Sequence, residues 1–166
     1  MKHDKTSRQT IYTGRVLNLH IDNNYWEIAE HKPAVAILAV QDGKILLVRQ
    51  YRAPLEAETL EIPAGLIEPN EDVLEAAARE FAEECMMGGD LSLISQFYVS
   101  PGFCDELVYL VRAENLRPAY GIPDDDEEIT TLFLTPQELL EGAKNGMFKV
   151  SAPAIAGAYM LIAEGL

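Results

Sequence analysis

Short apolar runs dominate residues 11 to 50 and return after residue 90, which predicts β-strands in both parts of the chain. Polar turn residues separate the early runs at Asn23-Asn24 and at Gln41-Asp42-Gly43. Two runs, Ala34–Val40 and Lys44–Arg49, are almost continuously apolar, which is typical of strands covered on both faces. The other predicted strands are Ile11–Leu17, Asn18–Asp22, Tyr25–His31, Leu91–Ser100, Glu106–Arg112 and Ile129–Leu134.

Helical patterns lie between and after these strands. Thr135 followed by Pro136 is a typical helix start, because threonine caps the first turn and proline fits its first position. Residues 1–10 are polar and are predicted as a loose arm. This order indicates an α/β fold with a mixed sheet between helices and a small N-terminal antiparallel strand unit. The predicted helices are Asp72–Cys85, a segment from Thr135 to about Asn145, and a segment from Ser151 to about Ala163.

The predicted helix Asp72–Cys85 carries acidic residues at the edge of its apolar face. With a rotation of about 100° per residue and Val73 at zero, the apolar stripe spans about 0 to 140°. Glu84 falls at about 20°, inside the stripe, while Glu80 and Glu83 fall at about 340° and about 280°. The stripe consists of Val73, Leu74, Ala77, Ala78, Phe81 and Cys85.

Burying these carboxylates without compensation would cost several kcal/mol. Arg79 can pair with Glu83 or with Glu75, but one guanidinium does not neutralise the whole cluster. Several carboxylates on one face are typical of a magnesium site, because Mg²⁺ prefers oxygen ligands and keeps waters and phosphate oxygens. The alternative is an acidic face exposed to water, and the position of Glu84 within the apolar stripe argues against it.

The spacing of these residues resembles the Nudix box, written G-x5-E-x7-R-E-U-x-E-E-x-G-U with U bulky and apolar. It is carried here by Gly65, Glu71, Arg79-Glu80-Phe81 and Glu83-Glu84. Met86 stands where the box has its late glycine, and Met87 fills the final apolar position. We therefore expect the helix to end later, with Gly88 or Gly89 as its left-handed cap.

Three further segments resemble the ADP-ribose pyrophosphatase branch of the Nudix superfamily. They are Arg49–Arg52, Glu61–Gly65 and Ser100–Glu106, and Pro101 in the last segment is the usual mark of the branch. The resemblance implies an α/β/α sandwich in which residues 33–166 form the Nudix hydrolase domain. It also implies that residues 1–32 form a strand unit for dimerisation, commonly exchanged between subunits, and therefore a homodimer with composite active sites.

Candidate catalytic residues follow from the helix positions and from the resemblance. Glu80 and Glu84, one turn apart, are the first candidates for metal ligands, with Glu83 as a ligand or bridging group. The resemblance adds the carbonyl of Ala64. The expected cofactor is Mg²⁺, with Mn²⁺ as the alternative, and the ions would activate a water molecule for attack on a diphosphate. Either Glu83 or Glu106 is expected to orient that water or to accept its proton.

Three other box residues are expected to support this chemistry. Gly65 allows the backbone to approach a metal or a phosphate closely. Arg79 is expected to orient Glu83 rather than to touch the substrate. Glu71 falls at about 180° on the helical wheel, away from the other acids, and is expected to provide structural support or an outer contact.

Substrate contacts are predicted outside the box. Arg52 is the leading candidate for a diphosphate or ribose contact, because a guanidinium pairs well with phosphate; the alternative is an ordinary surface arginine. Tyr25 or Trp26 is a candidate for stacking on adenine, with interface or core packing as the alternative. Ser100 and Gly102, which flank Pro101, complete the predicted substrate-binding set.

Other polar features receive simpler interpretations. The three histidines lack the spacing of metal ligands and are interpreted as structural or exposed residues. The acidic segment Asp124–Glu128 is interpreted as a solvated loop, and the alternative is that its third or fourth acid approaches the metals.

Composition limits the classes of protein that fit. A chain of 166 residues that is 48% hydrophobic is long enough for one substantial core. The net charge of −14 opposes nonspecific nucleic-acid binding, which depends on basic patches. No apolar run approaches the roughly 18 residues of a membrane span, and the first residues lack the apolar centre of a signal peptide. Two cysteines make no disulfide framework, so a reducing cytoplasm is the expected compartment.

The predicted function is magnesium-dependent hydrolysis of the diphosphate bond of ADP-ribose, which releases AMP and ribose 5-phosphate. One alternative is hydrolysis of another nucleoside diphosphate derivative, such as a nucleotide sugar or a dinucleotide. The other is a Nudix-like domain that binds ADP-ribose or a nucleotide without turnover. The intact acids of the box favour catalysis, whereas Met86 is the feature that favours a binding domain.

Overall fold

The computed structural model describes residues 7–23, 25–123 and 128–166. Within these ranges the chain forms ten strands, three α-helices and a short 3-10 turn at Ala53–Leu55. The strands are β1 Gln9–Thr13, β2 Leu17–Asp22, β3 Trp26–His31, β4 Ala34–Gln41, β5 Lys44–Arg52, β6 Ala57–Glu61, β7 Ala64–Leu66, β8 Met87–Tyr98, β9 Leu107–Pro118 and β10 Thr130–Leu134. The helices are α1 Val73–Cys85, α2 Pro136–Lys144 and α3 Ala152–Ala163.

The main sheet is mixed, with strand order β10-β5-β4-β9-β8, and β6 and β7 pair with β5 and β4. β4 and β9 are parallel, while the other strand pairs in this sheet are antiparallel. β1, β2 and β3 form a separate antiparallel sheet. The predicted mixed sheet and the predicted N-terminal strand unit are therefore confirmed.

Helices cover both faces of the main sheet, and alternate side chains of β4 point toward the helices on opposite sides. Val35, Ile37 and Ala39 pack in one core with Ala77 and Phe81 of α1. On the opposite face, a second core combines residues of β4 and β5 with residues of α2 and α3. These are Ala36, Leu38, Ile45, Leu47, Leu139, Ala154, Ala158 and Leu161. The nearly continuous apolar run of β4 thus reflects burial on two sides, and the α/β/α sandwich is confirmed.

The N-terminal sheet turns earlier than the sequence pattern predicts. The prediction of a single strand at Ile11–Leu17 is wrong, because the chain turns after Thr13. In this turn the amide of Gly14 donates to the carbonyl of Leu17 at 3.0 Å. A Cβ on Gly14 would lie 2.6 Å from the Tyr12 ring, so the tight turn suits glycine. The predicted loose arm is also too long, since β1 already begins at Gln9, and residues 1–6 lie outside the described ranges.

Two short strands, β6 and β7, were not predicted from the sequence. Ala57–Glu61 pairs with β5, and Ala64–Leu66 pairs with β4, so both depend on distant partners rather than on local pattern. The carbonyl of Pro63, between them, accepts a hydrogen bond from the Ile37 amide at 2.8 Å. β8 and β9 are longer than predicted, because they pair with each other from Met87 to Tyr98.

The helix ends follow local chemistry except at one point. Asp72 and Glu75 form a capping box at the start of α1, which was not predicted. Thr135 and Glu138 form another at α2, and the predicted N-cap Thr135 is confirmed. Ser151 precedes α3 but makes no side-chain cap. No helix within the described ranges is both long and apolar enough to cross a membrane.

The end of α1 corrects the sequence prediction. Met86 itself adopts the left-handed conformation with φ 52°, whereas Gly88 and Gly89 belong to β8. The Met86 amide donates to the Ala82 carbonyl at 3.0 Å, and the Met86 carbonyl accepts from the Ala119 amide at 3.0 Å. These bonds hold Met86 in a conformation that normally favours glycine, so the helix stops where the box glycine would stop it.

Candidate active site

Arg79 of α1 donates hydrogen bonds to three carboxylates and a backbone carbonyl. Its Nε and Nη2 donate to the two oxygens of Glu71 at 2.8 and 2.9 Å. Its Nη1 donates to Glu80 at 2.7 Å and to Glu83 at 3.0 Å. Nη2 also donates to the Leu66 carbonyl at 3.0 Å, which ties α1 to β7. The planar guanidinium thus binds the bidentate Glu71 and two further acids at once.

Glu71 lies closer to the other acids than the helical wheel predicts. It precedes the N-cap Asp72, so helical rotation does not describe its direction, and Arg79 brings it to Glu80 and Glu83. The alternative Arg79–Glu75 pair is wrong, because Glu75 closes the capping box. The predicted contact between Arg79 and Glu83 is present.

Glu71 and Arg79 stabilise each other in their charged forms. The hydrogen bonds from Arg79 lower the pKa of Glu71 from 4.5 to about 2, although partial burial opposes the shift. The same contact with Glu71, followed by those with Glu80 and Glu83, raises the pKa of Arg79 further above its usual value. One guanidinium therefore binds three acidic side chains, so the cluster contains more acidic groups than basic ones.

The backbone of β7 lies directly against the other two acids. Glu84 accepts a hydrogen bond from the Ala64 amide at 3.1 Å. A Cβ on Gly65 would lie 2.0 Å from the carboxyl carbon of Glu80, so glycine is what permits this approach. Ala64 and Gly65 thus bring their backbone to Glu84 and Glu80, one helical turn apart.

The buried face of α1 differs from the predicted stripe. Leu74 and Ala78 are exposed, whereas Ala76 and Ala82 are buried. α1 contacts β4, β7 and β8, and the backbone of Gly121 lies against the backbone of Ala82. Burial raises the pKa of the neighbouring Cys85 thiol to about 12, and the charge of Glu84 acts in the same direction.

The donor chemistry of this region fits a hard divalent cation. Glu80, Glu83, Glu84 and the carbonyl of Ala64 offer only oxygen atoms, and the local excess of negative charge favours a cation. Across the described ranges, however, no three His, Cys, Asp or Glu side chains converge closely enough to hold a metal by themselves. In this structure the carboxylates accept from other donors, because Arg79 binds Glu71, Glu80 and Glu83 and the Ala64 amide binds Glu84. Waters and substrate oxygens would complete the shell, as Mg²⁺ usually requires.

The loop from Ser100 to Glu106 docks on the N-terminal sheet. The Ser100 carbonyl accepts from the amides of Phe103 and Cys104 at 3.2 and 2.9 Å, which closes the turn. The Ala29 amide of β3 donates to Phe103 at 2.7 Å, and the Asp105 amide donates back to Ala29 at 3.2 Å. The loop is therefore joined to β3 by main-chain bonds in both directions.

A pocket of about 250 Å³ lies between this loop and β3. Two predicted substrate residues, Trp26 and Gly102, line it together with Phe103. The Tyr25 ring meets Trp26 edge to face, with ring centroids 5.0 Å apart. The pocket therefore brings Trp26 and Gly102 together, and Tyr25 supports Trp26 from the side.

Glu106 lies at the junction of three segments. Val108 of β9 and Leu66 of β7 both pair with Ala34, on opposite sides of β4. Glu106, two residues before Val108, has one carboxylate oxygen 3.6 Å from Nδ1 of His31. His31 was predicted as a structural or exposed residue and not as a site residue, although its place two residues before Pro33, at a strand entry, was a usable signal.

Arg52 pairs with Glu61 in this structure. Its Nε and Nη2 donate to the two oxygens of Glu61 at 2.7 and 3.1 Å across the β5–β6 hairpin. Burial raises the pKa of Glu61, but the bonds from Arg52 and Thr59 outweigh it and hold the value below 4.5. Glu61 was not predicted as a site residue because β6 was not predicted. The predicted acidic segment Asp124–Glu128 lies largely outside the described ranges, which omit residues 124–127.

Comparisons with known proteins agree with this geometry. A family model of the NUDIX domain matches residues 30–153. An ADP-ribose pyrophosphatase of Bacillus subtilis is 34% identical over 96% of this chain and 93% of its own length. A methanol dehydrogenase activator of Bacillus methanolicus is 36% identical over 95% of this chain and 92% of its own length.

A solved structure shares the fold. It is the crystal structure of an ADP compounds hydrolase. The two structures align with a TM-score of 0.78 over 99% of this chain and 94% of the other chain, and their sequences are 24% identical. At 24% identity this structural similarity supports the fold alone. The box residues gathered around Arg79, the family model over most of the chain and the near full-length relatives agree. The chain therefore belongs to the Nudix family, as a hydrolase of the ADP-ribose pyrophosphatase-like kind.

Proposed function

We propose that this protein hydrolyses the diphosphate bond of ADP-ribose with Mg²⁺ as cofactor and releases AMP and ribose 5-phosphate. The observation that carries the proposal is the cluster in which Arg79 binds Glu71, Glu80 and Glu83 beside Ala64 and Gly65. The Bacillus subtilis relative supports the choice of ADP-ribose. Mn²⁺ is the alternative cofactor, because it also accepts carboxylate and phosphate oxygens.

The chain offers a defined set of groups to hold the cofactor. Glu80, Glu84, Glu83 and the Ala64 carbonyl would be its protein ligands. A bound Mg²⁺ supplies positive charge against the diphosphate oxygens and makes water more acidic. Arg79 keeps Glu83 and Glu80 in place, and Gly65 leaves the space that Glu80 occupies.

We assign the orientation of the attacking water to Glu106 rather than to Glu83. Arg79 already engages Glu83 within the cluster, which suits a fixed ligand or bridging group. Glu106 ends a separate loop, Ser100–Glu106, whose residues 101–105 line the pocket that we propose for the substrate. A carboxylate that orients water typically contributes about 10²-fold or more to the rate.

Trp26 is proposed to stack on the adenine ring, with Tyr25 bracing it and Gly102 leaving room in the pocket. Ser100 closes the turn that shapes this loop. Arg52 is proposed to contact a phosphate or ribose group while Glu61 fixes its guanidinium. The two free cysteines, Cys85 and Cys104, suit the reducing cytoplasm that we propose as the compartment.

The test is a hydrolysis assay with a panel of diphosphates. Purified protein with Mg²⁺ is incubated with ADP-ribose, a nucleotide sugar and a dinucleotide, and AMP release is followed by chromatography. We expect the highest kcat/KM for ADP-ribose and loss of activity with a chelator. Preference for another substrate would overturn the choice of ADP-ribose. Binding of ADP-ribose without turnover of any substrate would show a binding domain instead.

We also propose that residues 1–32 join two copies of the chain into a homodimer, while residues 33–166 carry the hydrolase site. The two strand units would either pack against each other or be exchanged between the subunits. In the N-terminal sheet, apolar side chains are exposed on one face while polar side chains are buried on the other, which is the reverse of the usual arrangement. Tyr12 and Leu19, paired in register, are 56% and 40% exposed. On the other face, Asp22 is fully buried and His20 is buried in contact with Glu30. An exposed apolar face supports association with a second chain.

A second candidate function is activation of a methanol dehydrogenase, which the name of the Bacillus methanolicus relative favours. The test is to add the protein to a purified methanol dehydrogenase and to measure the rate of methanol oxidation. Activation by wild type but not by Glu84→Gln would connect the effect to hydrolysis. An unchanged rate with both proteins would contradict this second function.

A further inference from the structure

The residues around Glu106 form a closed set of contacts between β3 and the Ser100–Glu106 loop. The carboxylate of Asp105 accepts a hydrogen bond from the His31 amide at 2.8 Å. The amide of Asp105 donates to the Ala29 carbonyl at 3.2 Å. Asp105 is therefore held at both its main chain and its side chain by the last residues of β3, and it directly precedes Glu106.

The His31 ring faces Glu106 from the same strand end. Its Nδ1 lies 2.7 Å from the Lys32 carbonyl. Because a carbonyl oxygen only accepts hydrogen bonds, we assign the proton to Nδ1, which donates to Lys32. The Glu106 carboxylate lies 3.6 Å from this same nitrogen, too far for a strong hydrogen bond but close enough for the N–H dipole to attract it.

We infer that His31 and Asp105 are positioning residues that clasp Glu106 and hold its carboxylate at the reaction centre. The inference rests on the proposed function, in which Glu106 orients the attacking water. Asp105 fixes the backbone before Glu106, pairing of Val108 with Ala34 fixes the backbone after it, and the His31 ring limits the direction of the side chain. Catalysis in the main domain thus depends on how the N-terminal sheet docks on the loop.

The clasp has a quantitative consequence for turnover. A displacement of about 1 Å in a catalytic group costs on the order of 10²-fold in rate, even when the displaced group is chemically intact. Loss of either clasp residue should therefore reduce kcat about 10- to 100-fold with little change in KM for ADP-ribose. A residue that only stabilised the fold would lower the amount of active protein without this separation.

Two matched pairs of variants test the clasp. Asn at position 31 keeps a donor near the place of Nδ1, and Asn at position 105 keeps an acceptor for the His31 amide. We expect His31→Asn and Asp105→Asn to retain most of the wild-type kcat, whereas His31→Ala and Asp105→Ala lose about 10-fold or more. Equal kcat for the alanine variants and wild type would overturn the clasp.

A double-mutant cycle with Glu106→Gln shows whether these residues act through Glu106. If they do, His31→Ala lowers kcat in the wild-type background but adds little in the Glu106→Gln background. Full additivity of the two effects would overturn the inference. Wild-type kcat in Glu106→Gln itself would also overturn it, while leaving hydrolysis by the protein intact.

Hydrogen exchange separates the clasp from the enzyme activity. The His31 amide should exchange faster in Asp105→Ala than in wild type, because it loses its acceptor, and should remain protected in Asp105→Asn. The Ala29 amide, which donates to Phe103, is the internal reference. Unchanged protection of His31 in Asp105→Ala would contradict the clasp. A protein that shows the exchange effect but turns over no diphosphate would contradict only the proposed hydrolysis.

Discussion

Arg79 connects acids that come from two different segments of the chain. Glu80 and Glu83 lie on α1, whereas Glu71 precedes the helix, and the fork of the guanidinium spans all three. A lysine carries the same charge but lacks the planar set of five donors, so it would not hold this geometry. The orientation of the acidic cluster therefore depends on one side chain that need not touch the substrate.

The first prediction concerns Glu84. Glu84→Gln removes one negative charge from the proposed metal site while keeping an oxygen that can accept from the Ala64 amide. We expect kcat at saturating Mg²⁺ to fall about 100-fold or more, with little change in the melting temperature. Glu141→Gln on the exposed side of α2 is the matched control and should leave both quantities unchanged. Full activity of Glu84→Gln would refute its role as a ligand.

The second prediction concerns Glu71 and pH. Because the pKa of Glu71 is about 2 in the folded protein and 4.5 ordinarily, its ionised form stabilises the fold above about pH 4.5. That contribution is lost as the pH falls from about 4.5 toward 2. Glu71→Gln should lower the free energy of unfolding at pH 7 by about 1 kcal/mol, a value reduced for solvent screening of a partly exposed pair.

Urea unfolding of wild type and Glu71→Gln at several pH values between 7 and 3 measures this effect. The difference between the two proteins should shrink as the pH falls below about 4.5, because Glu71 then takes up a proton in the unfolded wild-type chain while it stays ionised in the folded protein. Glu141→Gln again serves as the control for removal of an acidic charge. A difference that stays constant over the whole pH range would contradict the assigned pKa shift.

At the scale of elements, the site is formed where a helix with strong local signals meets a strand with almost none. α1 begins within one residue of its predicted start, because apolar spacing is a property of neighbouring residues. β7 has only three residues, Ala64–Leu66, and becomes a strand because β4 lies beside it. The sequence pattern therefore predicted the acids on α1, but not the strand against which they pack.

The third prediction concerns the end of α1. Met86 has φ 52° and is 41% exposed, so glycine should adopt the same conformation with less strain and little loss of packing. We expect Met86→Gly to raise the free energy of unfolding by about 0.5–1 kcal/mol in urea titrations. Met87→Gly is the matched control and should destabilise the protein, because Met87 lies in β8 and packs against the α1 core. Destabilisation by both changes would refute the strain at Met86.

At the scale of the whole molecule, the N-terminal sheet connects association with catalysis. Its apolar side chains, such as Tyr12 and Leu19, are exposed, while its last strand holds the loop that carries Glu106. In the proposed dimer the exposed face would be covered by a second copy. The same small sheet would then stabilise the dimer and position a residue of the active site.

The fourth prediction tests the dimer. Analytical ultracentrifugation of wild type should give the mass of two 18.4 kDa chains. Leu19→Asp places a charge in the exposed apolar face of the N-terminal sheet and should shift the protein to the monomer. Leu55→Asp is the matched control, since Leu55 is also exposed but lies in the 3-10 turn after β5. A wild-type protein that sediments as a monomer would contradict the proposal.

The sequence by itself determined the helix α1, the N-cap of α2 at Thr135 and the spacing of Gly65, Arg79, Glu80 and Glu84, together with the α/β class. These depend on interactions between residues close in the chain, where periodicity and caps can be recognised directly. The tertiary structure alone decided the strand β7, the left-handed cap at Met86 and the contacts of Glu106 with β3. Each of these requires a partner far away in the chain, and no local pattern identifies which distant residue will supply it.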